Sequence, residues 1–332
     1  MSSIHFTAQW SKENYHLQKN FYDIINSPFR TRVQVVSDCT KRALCLAAET
    51  LLSPIRNKFS YWIMPANRST PEQLEKPWKP AATKVCLTSP DGEDLPPSPW
   101  FVIDGQKDLP TVIVLSPFIP KTAERRNDIA ILALDEDVDW MIKEARLRYC
   151  NLLFLDARRP SCSFEDQVLD ASAAVEFLRN QGVGNISVFG FCTGGVVAAY
   201  VSQMYKVTAV VYNSYTSFGA FLRNSRYMAA SVRERVPCPY PVQCLATLFA
   251  SLVGWSPTMP PEARVIALQN TQDELIPKVA RIPTATRLWN TTPIPPHRGH
   301  WAPLTQCIDF LRNPGSSLVF DMLLGQGNVH CT

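Results

Sequence analysis

From Lys84 onward, short β-prone runs alternate with longer stretches whose apolar residues recur at helical spacing, and this alternation constrains the fold more than any other feature of the chain. The runs are Val85 to Thr88, Trp100 to Ile103, Thr111 to Leu115, Asn151 to Leu155, Ser187 to Gly190, Val207 to Tyr212, Arg264 to Leu268 and Thr286 to Trp289. Leu134 to Leu147 and Phe164 to Arg179 are amphipathic segments between them. A strand that is apolar throughout needs cover on both faces, and strands separated by helices are joined by crossovers. The sequence therefore predicts an α/β fold, a mainly parallel sheet of about eight strands with helices on both faces. The first two runs flank Ser89-Pro90-Asp91-Gly92 and are expected to form an antiparallel edge.

The first eighty residues have a different texture. Cys39 to Leu52 carries apolar residues at helical spacing, but Pro65 to Pro80 is rich in proline and polar residues and reads as a linker or surface arm. We therefore expect an N-terminal extension and linker over residues 1–80 and a main domain over 81–332. Within that domain Ser214 to Pro261, with its prolines and scattered arginines, breaks the rhythm and reads as a cap-like insertion.

One turn carries candidate chemistry. Ser187 to Gly190 runs into Gly190-Phe191-Cys192-Thr193-Gly194-Gly195 and then into the small-residue segment Val196 to Tyr200. A nucleophile in a G-x-[nucleophile]-x-G turn between strand and helix is exposed on a strained backbone, and glycines are needed because the chain passes close to itself. The first N–H groups of the helix point at the same spot. The N–H of Thr193 and the positive helix end are thus expected to hold an oxyanion, and the same field makes a thiol more acidic. A buried, inert cysteine is the alternative for Cys192.

Two later segments support the reactive reading. The strand Arg264 to Leu268 leads into Gln269-Asn270-Thr271-Gln272-Asp273-Glu274, which places a carboxylate just past a strand end; an aspartate capping the next helix is the alternative, and Glu274 is the fallback acid. Thr286 to Trp289 leads into a proline-rich loop ending Gly299-His300-Trp301. His300 is preferred over His297 because the Gly-His step comes immediately before the last helical segment, while His5, His16 and His330 lie near the termini. In this reading Cys192 is the nucleophile, His300 moves its proton, and Asp273 fixes the tautomer of His300 and stabilises imidazolium. The second oxyanion N–H is expected from Ser116 to Pro120. Pro117 has none, which leaves Phe118, or Ile119. Phe191, Trp301 and Phe218 are candidate substrate contacts. Phe218, Phe221, Tyr227 and Trp255 line an acyl pocket or form the core of the insertion.

The order nucleophile, acid, histidine is that of the α/β-hydrolase arrangement. Over Lys84 to Asn313 the sequence resembles the α/β-hydrolase superfamily. Within it Gly190-Phe-Cys-Thr-Gly-Gly195 is similar to the cysteine elbow of dienelactone hydrolases and to that of polyhydroxyalkanoate synthases. Thr111 to Phe118 and Asp156-Ala-Arg-Arg-Pro160 are faintly similar to the synthase pattern. The resemblance implies a Cys-Asp-His triad at Cys192, Asp273 and His300. Dienelactone hydrolases are shorter and lack an extension like residues 1–80, and the synthases are considerably longer. Thioesterases and acyltransferases of biosynthetic pathways share the fold.

A cysteine nucleophile suits activated esters and thioesters better than amides. The expected function is an acyl-transfer enzyme that hydrolyses a small-molecule ester or thioester, or passes its acyl group to a small nucleophile through an acyl-cysteine intermediate. Arg223, Arg226, Arg233 and Arg235 are candidates to meet the phosphates of coenzyme A or of a carrier-protein arm, or are simply a solvated face. The alternative is a catalytically silent protein of the same fold that binds a small apolar ligand. Composition excludes other classes. A net charge of +4 argues against a nucleic-acid partner. The longest apolar run, Cys244 to Trp255, is too short to span a membrane, and no cofactor or metal motif appears. The ten cysteines have no CxxC pairing and Met1 to Trp10 has no targeting pattern, so a cytoplasmic protein with reduced thiols is expected.

Overall fold

The structure, a computed structural model, describes residues 82–115, 129–155, 164–218, 220–221, 259–260, 265–273, 275–283, 285–288, 299–301 and 318–324, with Thr40, Ala43, Ala47 and Leu245. The eight strands are β1 (Ala82–Val85), β2 (Ser98–Phe101), β3 (Thr111–Leu115), β4 (Asn151–Leu155), β5 (Ile186–Phe191), β6 (Thr208–Tyr212), β7 (Val265–Asn270) and β8 (Thr286–Leu288). They form one sheet in the order β1-β2-β4-β3-β5-β6-β7-β8. β2 is antiparallel to β1 and β4, and all other neighbours are parallel. This strand order and these directions, with helices between the parallel strands, are the α/β-hydrolase fold.

The apolar runs explain why the centre of the sheet is covered on both sides. Every residue of β3 and β5 is buried, and neither strand has a polar face to show to water. Among the described residues four helices accompany the sheet: α1 (Ile129–Leu147), α2 (Phe164–Asn180), α3 (Thr193–Tyr205) and α4 (Leu318–Leu323). α1 and α4 meet through Trp140 and Phe320, edge to face at 5.6 Å, and through Arg148, which pairs with Glu144 and with Asp321. α2 and α3 pack together, with Phe164 against Tyr200 at 5.3 Å. The small residues Gly194, Gly195, Ala198 and Ala199 on α3 are all buried and let the helix lie close to β5 and β6.

Differences from the expected boundaries have local causes. β1 begins at Ala82, before the predicted Val85, because an edge strand exposes residues such as Thr83 and Lys84 and needs no apolar pattern there. Beyond Val85 the chain turns back through Ser89 and Gly92, with Thr88 bridging Asp94. β2 stops at Phe101, ahead of a turn in which Asp104 and Gly105 both take positive φ. β7 continues past Leu268 through Gln269 and Asn270, which are polar yet buried. Of the predicted extension only Thr40, Ala43 and Ala47 are described, all helical; most of the insertion 214–261 lies outside the described residues.

Register brings the functional segments together. Phe191 pairs with Tyr212 and Tyr212 with Leu268, so β5, β6 and β7 end side by side at their carboxyl edges. Cys192, Asn213 and Asp273 follow those three ends.

Candidate active site

Cys192 joins β5 to α3 with φ 53° and ψ −116°, a backbone combination unfavourable for a residue with a Cβ. The turn is held from several sides. The Cys192 N–H donates to the Tyr212 carbonyl at 3.0 Å, and the Cys192 carbonyl accepts from Gly195 N–H at 3.1 Å and from the Ser214 hydroxyl at 2.7 Å. A Cβ on Gly195 would lie 2.6 Å from Ser214 Oγ, and one on Gly190 would meet the backbone of Gly194 and Gly195. These contacts require glycine at Gly190, the first glycine of the motif, and at Gly195, one residue past its second. α3 begins at Thr193, so the N–H groups of Thr193 and Gly194 at its start have no acceptor within the helix.

The fold brings Asp273 and His300 together. His300 Nδ1 and Asp273 Oδ2 are 3.0 Å apart and both side chains are buried. Asp273 does not cap the next helical turn, Lys278–Ala280, whose N-cap is Pro277; its two oxygens divide the work differently. Oδ1 accepts from the N–H groups of Leu275 and Ile276 at 2.9 and 3.0 Å and closes the loop on itself, while Oδ2 faces the imidazole. The Arg281 guanidinium donates to the backbone carbonyls of Ile276 and Asp273 and ties the acid loop.

His300 lies in the 3-10 turn Gly299–Trp301, against which α1 packs. Gly299 runs so close to the Gln272 carbonyl that no Cβ fits. Burial disfavours the imidazolium, but the charges of Asp273 and Cys192 and the hydrogen bond to Asp273 outweigh it and push the histidine up to about 10. The pH consequence has a definite sign. The imidazolium's contribution to stability is fully present below about 6.5 and is lost as the pH rises through about 10. Urea denaturation is expected to show unfolding free energy from this group falling across that window, and the slope is expected to be absent in His300→Gln.

Aromatic rings frame the pair. Phe191 stacks on His300 at 5.2 Å and on Tyr212 at 5.4 Å. Phe191 thus backs the imidazole. Phe218 and Phe221 are buried against Tyr215, whose hydroxyl donates to Thr193 Oγ1 at 3.2 Å. Phe118, Ile119, Glu274, His297, Tyr227, Trp255 and the four insertion arginines lie outside the described residues, as does the side chain of Trp301. Among the described residues no group of His, Cys, Asp and Glu is arranged to hold a metal ion, and no helix is long and apolar enough to cross a membrane. Cys150 is a second buried free cysteine. Burial pushes its thiol up to about 12, although nearby Arg148 acts the other way.

Sequence reasoning missed the amides behind the site. Asn213 Nδ2 donates to the His300 carbonyl at 2.7 Å, and its Oδ1 accepts from Asn270 N–H at 2.7 Å. Asn270 Nδ2 donates to the Gly299 carbonyl at 2.9 Å. Gln269 Nε2 donates to Asp273 Oδ2 at 2.8 Å and to Asn213 Oδ1 at 3.3 Å. The available signal was a run of amides and a serine, Tyr212-Asn213-Ser214 and Leu268-Gln269-Asn270, at strand ends where the apolar pattern gives way.

No protein-family model and no curated protein matches the sequence. Solved structures overlap with it at low identity. An esterase of Pyrococcus furiosus is 19% identical, over 64% of this chain and 76% of that one, with a TM-score of 0.41. A serine hydrolase without a lid from Xanthomonas campestris is 17% identical, over 67% and 88%, with a TM-score of 0.36. A thermostable carboxylesterase, EstE1, cloned from a metagenomic library is 16% identical, over 66% and 85%, with a TM-score of 0.34.

Proposed function

We propose that this chain is an acyl-transfer enzyme acting on activated esters or thioesters through an acyl-cysteine intermediate. The observation that carries the reading is the buried His300–Asp273 pair, 3.0 Å between Nδ1 and Oδ2, at the sheet edge where Cys192 stands on a strained elbow. His300 takes the proton of the Cys192 thiol, and the sulfur bonds to the substrate carbonyl carbon. The carbonyl electron pair moves to oxygen, which the N–H of Thr193 and a second donor, Phe118, stabilise. As the tetrahedral species collapses, the bond to the leaving alcohol or thiol breaks and His300 returns its proton to that group. Water or a small acceptor then gives a proton to His300 and attacks the acyl-cysteine, and collapse releases the acyl product and the Cys192 thiol.

The proton affinity of His300 favours this nucleophile. An imidazole held charged beyond neutrality by Asp273 and Cys192 is a poor base for a hydroxyl but a good partner for a sulfur anion and a ready acid for the leaving group. Intact-mass analysis after mixing with short, medium and aromatic acyl-thioesters is expected to show an acyl adduct on the wild type and none on Cys192→Ala. An absent adduct together with undiminished activity in the variant rules the mechanism out. Adding an amine or alcohol separates transfer from hydrolysis. Iodoacetamide at about pH 6 to 7 is expected to label Cys192 well before Cys150. Labelling of Cys192 at the rate of an ordinary thiol supports a silent binder instead.

A further inference from the structure

We propose that Gln269 and Asn213 are positioning residues for the His300–Asp273 pair, and that Gln269 limits the negative charge that Asp273 presents to the imidazole. The hydrogen bonds close a ring. Asp273 Oδ2 faces His300 Nδ1 at 3.0 Å and accepts from Gln269 Nε2 at 2.8 Å. The same Nε2 reaches Asn213 Oδ1 at 3.3 Å, and Asn213 Nδ2 holds the His300 carbonyl at 2.7 Å. Both ends of the pair, the carboxylate and the histidine backbone, are therefore fixed from the ends of β6 and β7 and not only by the loops that carry them.

A second observation favours a role beyond packing. Both acceptors sit on the Nε2 side of Gln269, which fixes the amide orientation. Its Oε1 is left buried without a hydrogen-bond partner among the described residues. A methionine would fill the same space without orphaning an acceptor, so the amide's contribution lies in its donor. That donor shares Oδ2 with the imidazole N–H. A carboxylate oxygen already accepting one hydrogen bond attracts a neighbouring imidazolium less strongly.

Among the described residues, few other charged groups surround the pair. Cys192 acts on His300 directly. The Arg281 guanidinium faces the backbone carbonyls of Asp273 and Ile276. On α1, which packs on the histidine turn, Asp139, Lys143 and Arg146 are exposed, and Glu144 pairs with Arg148, which also holds Asp321 of α4.

The inference rests on the proposed reaction only for its effect on turnover, so its test starts from a measurement that needs no substrate. The imidazole of His300 is titrated by NMR in the full chain, assigned by its absence in His300→Gln. In Gln269→Met the titration is expected to move up by about half a unit or more, and the alkaline limb of kcat/KM to move with it. Asn213→Ala leaves that donor on Asp273 and frees the histidine backbone. It is expected to lower kcat roughly tenfold at unchanged KM, with the titration within a few tenths of wild type. If Gln269→Met does not fold, Gln269→Asn withdraws the donor by one methylene and is expected to give the same upward shift. A titration unmoved or lowered in whichever of these variants folds overturns the inference. An upward shift in a wild-type background that forms no acyl-enzyme upholds it and removes only the acyl-transfer reading.

Discussion

Cys192→Ala is expected to lower kcat/KM for ester or thioester turnover by about 10⁴-fold or more, since removal of a nucleophile leaves only what binding and the oxyanion donors supply. Cys192→Ser discriminates more finely. A serine hydroxyl needs a neutral imidazole to take its proton at the moment of attack. Asp273 and its hydrogen bond favour the protonated form of His300, and the field of Cys192 is only one of the causes that raise it to about 10. The serine variant is therefore expected to remain on the order of 10²–10³-fold below wild type near neutral pH, the range associated with lost general-base assistance. It should regain activity as the pH rises. Initial rates for both variants on one ester and one thioester, from pH 6 to 10, check this. Wild-type rates in Cys192→Ser at pH 7 would show that the site does not depend on sulfur.

Gly190→Ala is expected to be the most damaging conservative change to the scaffold. The added Cβ would lie 2.6 Å from the Gly194 carbonyl carbon and 2.7 Å from Gly195 Cα, both backbone atoms that cannot rotate aside. Relief requires moving the start of α3 away from β5, which costs about 3 kcal/mol on the scale of core overpacking. For a domain of this size that corresponds to a melting temperature lower by roughly 10 °C. Activity falls with it because Cys192 is carried on the displaced turn. Gly184→Ala is the matching control, having nothing within 4 Å of the added carbon, and is expected to melt with the wild type. Thermal denaturation of the two variants in parallel separates the close approach at the elbow from the general effect of replacing glycine.

Much of the architecture follows from local pattern. Thr111–Leu115 and Asn151–Leu155 have the boundaries that their apolar runs predict, because a strand buried on both faces announces itself by composition alone. The elbow was legible for a similar reason: close passage of the chain at Gly190 leaves a glycine two residues before the cysteine in the sequence. Edge strands and strand ends were harder to read. β1 exposes polar residues to water, and β7 ends in Gln269 and Asn270, whose burial is balanced by hydrogen bonds to residues more than fifty positions away. Apolar periodicity registers neither case.

What the sequence determined by itself was the set of reactive types and their order: a cysteine on a glycine-framed turn, a carboxylate after a later strand, and a histidine before the final helix. Tertiary structure decided how they meet. The 3.0 Å approach of His300 to Asp273, the division of work between the two oxygens of that carboxylate, and the ring through Gln269 and Asn213 depend on β6 and β7 ending together at the same edge. The physical reason is range. Backbone strain and apolar alternation are set by neighbours along the chain, whereas the proton affinity of a buried imidazole is set by charges and hydrogen bonds that only the folded sheet assembles.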